Sequence, residues 1–302
     1  MVTAEMSVVF NTPCTVKALF RSAVSELLKV GIESPHHDVE ILLAEAIGTT
    51  VSNLHFNSLL EVSKEAKEDF KKFLCRRKRR EPVPQIIGKW EFYGYEILVN
   101  KLVLTPRPST ESLVESVLAV ARQIAGCRGQ DLVIHDIGTG SGAIAVALGK
   151  ELPGARVYGF DVSLAAVDIA SENVSLHNLD KSVDISLADL QPPRSLEPDL
   201  VVANLPYIAS DDLSSLAPEV RDYEPSIALD GGADGLDLIR RLILEIRIVE
   251  EGVLFLELGN NQFEMLKSFV LREIPFLRVE AKKDFDGINR VMIISGWRNN
   301  HV

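Results

Sequence analysis

Apolar positions recur at two different spacings along the chain, and the change between them divides it. Up to about residue 80 they fall three and four apart, the interval of a helix that buries one face. After Thr15, a residue suited to capping, Val16, Leu19, Phe20, Ala23, Val24, Leu27 and Leu28 share such a face, and Gly31 ends the run. Pro35 and Asp38 lead into a second helix with Val39, Leu42, Leu43 and Ala46 inward, stopping at Gly48. A third opens at Ser63, turns Ala66, Phe70 and Phe73 to the core and ends in Cys75-Arg76-Arg77-Lys78-Arg79-Arg80. Pro82 and Pro84 then mark a linker. From Trp90 to Leu104 the interval drops to two (Tyr93, Tyr95, Ile97, Val99, Leu102, Leu104), which predicts a β-hairpin turning at Asn100-Lys101. In Thr105-Pro-Arg107-Pro-Ser109-Thr110-Glu111, Ser109 or Thr110 is placed to cap a helix carrying Leu113, Val114, Val117 and Leu118.

Beyond residue 130, short apolar runs alternate with helical patterns, the signature of a parallel sheet covered by helices. Leu132 to Ile137 is a strand, Gly138-Thr139-Gly140-Ser141-Gly142 a glycine-rich turn, and Ala143 opens a helix. A second strand, Arg156 to Asp161, ends in an acid, and a third runs through Ile185 toward Asp189 and Leu190. The fourth, Leu200 to Ala203, stops abruptly at Asn204-Leu205-Pro206-Tyr207, because proline fixes φ and has no N–H to continue a ladder. A helix from Leu236 to Val249 follows Gly231, Gly232 and Gly235. Strands at Gly252–Leu258, Leu277–Glu280 and Arg290–Ser295 complete the pattern.

Composition narrows the class. The chain has 302 residues, 46% hydrophobic and 25% charged, enough for two domains and a substantial core. No apolar run approaches the roughly 18 residues a membrane span needs, and Met1-Val-Thr-Ala-Glu-Met6 lacks the basic and apolar regions of a signal peptide. Cys14, Cys75 and Cys127 lie far apart, which argues against a disulfide framework or zinc knuckle and for a reducing cytosol. His36 and His37 are adjacent and face apart on a helix, as a surface pair. The net charge of −11 is uneven: residues 1–80 hold 12 Lys and Arg against 10 Asp and Glu, and the remainder 20 against 33. An acidic body disfavours a nucleic-acid backbone as partner. The run Arg76 to Arg80 leaves two readings open, a solvated helix end complementing the dipole, or a docking patch for an acidic partner or RNA.

Two stretches carry candidate chemistry. The Asn204 corner combines a side-chain amide, the Leu205 carbonyl and the Tyr207 ring in one stiff turn. Such a corner can accept two hydrogen bonds from a planar –NH2 group and stack on its plane. The glycine turn lets N–H groups approach a ligand at a helix N-terminus, and Asp161, about 20 residues on, is placed to bind ribose hydroxyls. Together these predict a nucleoside-cofactor site. Gly138, Gly140 and Ala143 also satisfy the dinucleotide fingerprint. The early third glycine and the Asn204 corner point instead to S-adenosylmethionine. Asp189 and Leu190 can hold adenine, or Asp189 can cap its loop.

Asp136-Ile-Gly-Thr-Gly-Ser-Gly, Pro106-Arg-Pro-x-Thr110-Glu111, Asn204-Leu-Pro-Tyr-Ile and Asp222-Tyr-Glu224-Pro225-Ser-Ile-Ala-Leu-x-Gly-Gly resemble the motifs of the HemK/PrmC family. So do Glu257-Leu-Gly-x-x-Gln262 and Asp286-Gly-x-x-Arg290. Members of that family are protein-(glutamine-N5) methyltransferases that modify peptide chain release factors, and the similarity covers nearly the whole chain. The resemblance implies an α/β fold of the class I S-adenosylmethionine-dependent methyltransferases: a Rossmann-like seven-stranded sheet, last strand antiparallel, preceded by a small helical bundle and a hairpin linker. It implies a substrate-recognition domain at 1–82, a linker at 83–108 and a methyltransferase domain at 109–302. By resemblance, Asn204, Leu205, Pro206 and Tyr207 grip a glutamine amide of a Gly-Gly-Gln loop. Gly138, Thr139, Gly140, Ser141 and Gly142 hold the methionine end of S-adenosyl-L-methionine, Asp161 the ribose and Leu190 the adenine side. The implied partner is a class I release factor and the implied location the cytoplasm. Leu205 departs from the family's usual proline; it keeps the carbonyl but leaves Pro206 alone to stiffen the turn. Arg107 and Glu111 either line the cofactor entrance or pair with each other and cap the helix. A ribosomal-protein glutamine, a nucleic-acid adenine, or cofactor binding without catalysis are the competing readings.

Overall fold

The structure is a computed structural model that describes residues 14–128, 132–190, 197–284 and 287–297. Met1 to Met6 and Asp286 lie outside the described residues, as does the Cys127 side chain. The described residues up to Gly88, with Pro218–Tyr223, form one compact unit; those from Lys89 on, apart from that insert, form a second. Among the described residues no helix is long and apolar enough to cross a membrane.

The first unit holds helices α1 (Val16–Lys29), α2 (Pro35–Ile47), α3 (Val51–Phe56), α4 (Lys64–Arg77) and α5 (Val83–Ile87). Thr15 and Ser63 cap α1 and α4 by accepting the N–H of Ala18 and Ala66, and Gly48 ends α2 at φ 73°. Leu19, Leu27, Leu42, Leu43, Phe70 and Leu74 are fully buried between them. Leu28, expected inward, is 57% exposed at the edge of its face, and Leu74 rather than Phe73 is the deep residue of α4. The short helices α3 and α5 escape a periodicity reading because one turn has no period; Pro82 caps α5 and Pro84 lies inside it.

Apart from Arg79, which is exposed, the basic run is paired within its unit rather than left to solvent. Arg77 is buried, with Nε 2.7 Å from Asp38 Oδ2 and Nη2 3.0 Å from Glu219 Oε1. Lys78 reaches Glu26, Arg80 reaches Glu219 and the Gly31 carbonyl, and Arg76 holds Glu81 and the carbonyls of Gln85 and Ile86. Carboxylates brought from distant parts of the chain, invisible to local spacing, absorb the charge. His36 and His37 are both exposed.

The second unit opens with the hairpin β1 (Lys89–Phe92) and β2 (Tyr95–Leu98). Phe92 pairs with Tyr95, so the turn is Tyr93-Gly94 and not Asn100-Lys101. Both turn residues have positive φ, 53° and 77°, as a two-residue hairpin turn requires, and glycine takes that conformation without strain. Asn100 instead makes a local turn, its Oδ1 accepting the Leu102 N–H.

There follow α6 (Glu111–Arg128), β3 (Val133–Ile137), α7 (Ala143–Glu151), β4 (Arg156–Asp161), α8 (Leu164–Leu176), β5 (Val183–Leu187) and β6 (Leu200–Ala203). Then come α9 (Asp237–Glu245), β7 (Val253–Glu257), α10 (Phe263–Glu273), β8 (Arg278–Lys283) and β9 (Asn289–Ser295). The seven strands β3–β9 form one sheet in the order β5-β4-β3-β6-β7-β9-β8. Neighbours from β5 to β7 are parallel, and β9 runs antiparallel to both β7 and β8, so the last strand is reversed as the family resemblance implied. Helix α9 stops at Glu245, four residues before Val249, because Ile246 turns extended. One apolar cluster lies under α6, α7 and α8, and a second under α9 and α10. Strands β6 and β7 are buried throughout, as strands covered on both faces must be. Strand order reverses between β3 and β6, and ligands of open α/β sheets bind beyond the strand ends at such a point.

Candidate active site

Both candidate stretches lie at that reversal. The glycine turn leaves the end of β3 and the Asn204 corner the end of β6, and the two strands pair from Ile134↔Leu200 to Ile137↔Ala203. Gly138, Gly140 and Gly142 all have positive φ (72°, 57° and 78°), which explains three glycines in five residues.

The turn's donors are largely spent inside the protein. The N–H groups of Gly138 and Thr139 both donate to the Phe160 carbonyl, at 2.8 and 2.9 Å, and that of Gly142 to the Thr139 carbonyl. Gly140 donates to Asp161 Oδ2 and Ser163 to Asp161 Oδ1, each at 2.9 Å. Asp161 therefore ties the turn to β4 before any ligand arrives, with lone pairs on each oxygen still available. A pyrophosphate bound at a helix N-terminus relies on free N–H groups. With four of the turn's five already committed, the turn offers room rather than donors.

Beneath it, the Thr139 hydroxyl donates to Asp136 Oδ2 at 2.7 Å. Burial pushes the Asp136 carboxyl up to about 7, against hydrogen bonds from Thr139 and the Ala145 N–H. His135, fully buried edge-on to the rings of Tyr158 and Phe160, is pushed down to about 4 by burial.

On the other side, Asn204 Nδ2 donates to Thr110 Oγ1 at 3.1 Å, which leaves Oδ1 as the acceptor to be presented. Of the two candidate helix caps, Ser109 and Thr110, the Thr110 hydroxyl is used on Asn204 instead. Leu205 is buried, and a Cβ added at Gly138 would meet its Cδ2 at 2.8 Å, so turn and corner are packed on each other. The stiffness that a second proline would give is supplied from outside the motif. Gln262 Nε2 donates to the Tyr207 carbonyl at 2.8 Å while its Oε1 accepts the Gly259 N–H. Ile208 donates to the Leu229 carbonyl and accepts from Gly231. Gly231 and Gly235 pass so close to the carbonyls of Pro206 and Tyr207 that a Cβ at either would sit at 2.6 and 2.2 Å from them. The Tyr207 hydroxyl is pushed up to about 12 by burial, reinforced by the nearby Glu257 carboxylate.

A cavity joins the two sides. Gly138 through Ser141 line it, with Asp161, Leu190, Asn204, Leu205 and Pro206; Gly142 and Tyr207 do not. Gly142 starts α7 and packs on Ala170 instead. Leu190, in the left-handed region at φ 57°, is buried on the cavity wall. The Asp189 side chain, 60% exposed, is 2.8 Å from Arg241, a use neither reading anticipated. Arg107 lines the cavity but does not pair with Glu111: its Nη2 lies 2.5 Å from Glu224 Oε2, while Glu111 accepts the Tyr93 N–H. Burial raises the Glu224 carboxyl and the Arg107 charge opposes that rise. Pro225, Ile227 and Ala228, in a motif whose sequence indicates no role for them, are cavity wall.

The sheet order and this cavity define a class I S-adenosylmethionine-dependent methyltransferase fold. The hMettl16 catalytic domain, solved in complex with the MAT2A 3'UTR hairpin 6, is similar with a TM-score of 0.53 at 18% identity, covering 68% of this chain and 77% of that one. That likeness bears on the fold alone. Residues 18–88 match the family model for the PrmC N-terminal domain, and residues 115–225 that for ribosomal protein L11 methyltransferase (PrmA). Relatives named release factor glutamine methyltransferase include that of Thermodesulfovibrio yellowstonii, 39% identical over 78% of this chain and 83% of its own. Those of Rhodopirellula baltica (36%, covering 93% and 96%) and Agrobacterium fabrum (32%, covering 92% and 96%) span nearly the full length. The chain belongs to the release factor glutamine methyltransferase family, and it is an enzyme of the methyltransferase class.

Proposed function

We propose that this enzyme transfers a methyl group from S-adenosyl-L-methionine to the side-chain amide nitrogen (N5) of the glutamine in the Gly-Gly-Gln loop of class I peptide chain release factors, in the cytoplasm. The observation that carries the reading is the Asn204 carboxamide, tethered by its nitrogen to Thr110 so that its oxygen is left to accept, on the wall of the cavity that the glycine turn also lines. The name shared by the full-length relatives supports the choice of substrate.

The cavity fits the cofactor by its chemistry. A turn whose N–H groups are mostly internally bonded is poor for a pyrophosphate and suits a cofactor without one. S-adenosylmethionine would supply a methyl group on a cationic sulfur; Gly138 to Gly142 are assigned to its methionine end, Asp161 to its ribose and Leu190 to its adenine side.

The protein's own part is orientation. A glutamine amide nitrogen is a poor nucleophile because its lone pair is delocalised into the carbonyl. Asn204 Oδ1 and the Leu205 carbonyl would accept its two N–H bonds, with Pro206 fixing the angle between them and Tyr207 assigned to the amide plane. Holding reactants in register is worth up to roughly 7–11 kcal/mol at the extreme. Neutral acceptors also stabilise the positive charge that develops on nitrogen as it attacks. The N-terminal segment 1–82 is assigned to recognition of the protein substrate.

The test is methyl transfer from labelled cofactor to a release factor, to its Gln→Ala loop variant and to duplex DNA. Label is expected on the unmodified release factor alone, with a fall of about 10²–10³ or more for Asn204→Ala. Label on DNA, or equally on the loop variant, rejects the reading.

A further inference from the structure

A carboxamide has two ends of nearly the same shape and opposite hydrogen-bonding sense. If Asn204 were turned over, its NH2 would face the substrate's NH2, donor against donor. Something must therefore choose the orientation, and sequence motifs do not say what. Strands β6 and β7 run parallel in register to Ala203↔Leu256, so Asn204, the first residue after β6, lies level with Glu257, the last residue of β7, which is itself paired to Val291 of β9. Thr110, at the end of the 3-10 turn Pro108–Thr110, is buried at 4% exposure and accepts from Asn204 Nδ2 at 3.1 Å. A hydroxyl that accepts still has its own proton to place. Glu257, at 0% exposure, accepts on Oε1 from the Oγ of Ser109, the residue before Thr110, at 3.5 Å, and its Oε2 is buried with no hydrogen-bond partner among the described residues, an acceptor in want of a donor. Burial pushes the Glu257 carboxyl up, and a hydrogen bond from Thr110 is foremost among the groups opposing that rise, followed by the Arg290 charge.

We propose that Thr110 and Glu257 are positioning residues that set the polarity of the corner: Glu257 accepts a hydrogen bond from the Thr110 hydroxyl, Thr110 turns its lone pair to Asn204 Nδ2, and Asn204 Oδ1 is thereby fixed toward the substrate. Neither residue touches the reacting amide; both act through Asn204. The consequence is a specificity rule. The corner accepts a group that offers N–H bonds, a carboxamide or an exocyclic amine, and rejects one that offers only oxygens, so a glutamate in place of the target glutamine meets a repelling Oδ1. This inference rests on the reading that Asn204 binds an N–H donor.

Thr110→Val removes the hydroxyl and keeps the shape, and Thr110→Ser restores the hydroxyl without the methyl. Thr110→Val is expected to lower kcat for release-factor methylation by roughly ten- to hundredfold, the scale of a misplaced reacting group. S-adenosylhomocysteine affinity should stay near wild type, Tm should fall because valine leaves Asn204 Nδ2 without its partner, and Thr110→Ser should recover most of both activity and Tm. Glu257→Gln can donate to Thr110 and reverse the chain, so it should lose activity to a similar extent. A second readout does not depend on the substrate. The Asn204 side-chain NH2 signals in 15N-edited NMR, identified by their loss in Asn204→Asp, should shift in Thr110→Val and return in Thr110→Ser. Unmoved Asn204 signals in Thr110→Val overturn the proposal. So does Thr110→Ser behaving like Thr110→Val, which would make Thr110 a packing methyl, and full activity in Glu257→Gln removes Glu257 from it. Should the wild type methylate no release factor, the functional reading fails while the NMR arm still judges the orientation.

Discussion

The two sides of the cavity solve opposite problems. The glycine turn satisfies itself: its N–H groups go to Phe160, Asp161 and Thr139, and what it presents is backbone without side chains. The Asn204 corner is held from behind, by Thr110 on the Asn204 nitrogen and Gln262 on the Tyr207 carbonyl, so that acceptors remain for something else. A site for a cofactor can be mostly shape, because much of the ligand is fixed by fit. A site for a weak nucleophile needs polar groups whose direction is set in advance. The difference predicts that damage on the first side appears in cofactor affinity and damage on the second in turnover.

Gly138→Ala should break the comparison most strongly, because Gly138 is where the sides touch. A methyl there meets Leu205 Cδ2 at 2.8 Å, and φ of 72° is strained for alanine by roughly 1–2 kcal/mol. S-adenosylhomocysteine affinity, measured by calorimetry, should fall at least about tenfold and Tm should drop, each strained contact costing of the order of 1–3 kcal/mol. Adding Leu205→Ala removes the clash but not the backbone strain, so the double variant should regain part of the loss. A double variant no better than the single would show that the turn does not lean on the corner.

Asp161→Ala tests whether the first side is pre-built. It strands the N–H groups of Gly140 and Ser163, both half-buried, so each should cost less than the roughly 1–3 kcal/mol of a fully buried donor left unpaired. Stability should fall even without cofactor. Asp161→Asn, which keeps one acceptor oxygen, should lose less. If Asp161 served only ribose, the ligand-free Tm would not move.

What the sequence disclosed about these sides follows from how local each is. The turn lies in five consecutive residues and the corner in four, and each follows an apolar strand, so both were legible with the sheet that carries them. What holds the corner was not. Asn204 and Thr110 are 94 residues apart, and Thr110 sits where a helix cap is expected. Arg107 found its carboxylate at Glu224, 117 residues away, rather than at Glu111 one turn on. The basic run behaved alike: Arg77 meets Glu219 across 142 residues, and nothing in Arg76 to Arg80 shows that carboxylates are waiting. Alternation found a hairpin in this stretch but misplaced its strands, running the first through the true turn and making a strand of Leu102 to Leu104, since period two continues unbroken across a two-residue turn; the positive φ of Tyr93-Gly94 settles it.

The smallest expected effect concerns pH and separates the two sides through the strands beneath them. Strand β6, which ends at the corner, is Leu-Val-Val-Ala and carries nothing titratable, whereas β3, which ends at the turn, carries His135 and Asp136. His135 is lowered from 6.5 to about 4. Between those values the unfolded chain holds a proton the folded one does not, so stability falls as pH drops through that window. Asp136 is raised from 3.8 to about 7, so the folded chain keeps a proton that the unfolded one releases, and stability falls as pH rises through that window. From about 4 to 6.5 the slopes oppose each other and should largely cancel. His135→Phe, which suits the ring contacts with Tyr158 and Phe160, should leave the Asp136 slope alone, with urea midpoints that decline relative to wild type as pH rises from 4 toward 6.5. Asp136→Asn should show the reverse, a midpoint that rises relative to wild type across the same range. Parallel profiles in all three proteins would mean that the ground under the turn does not titrate as its burial requires.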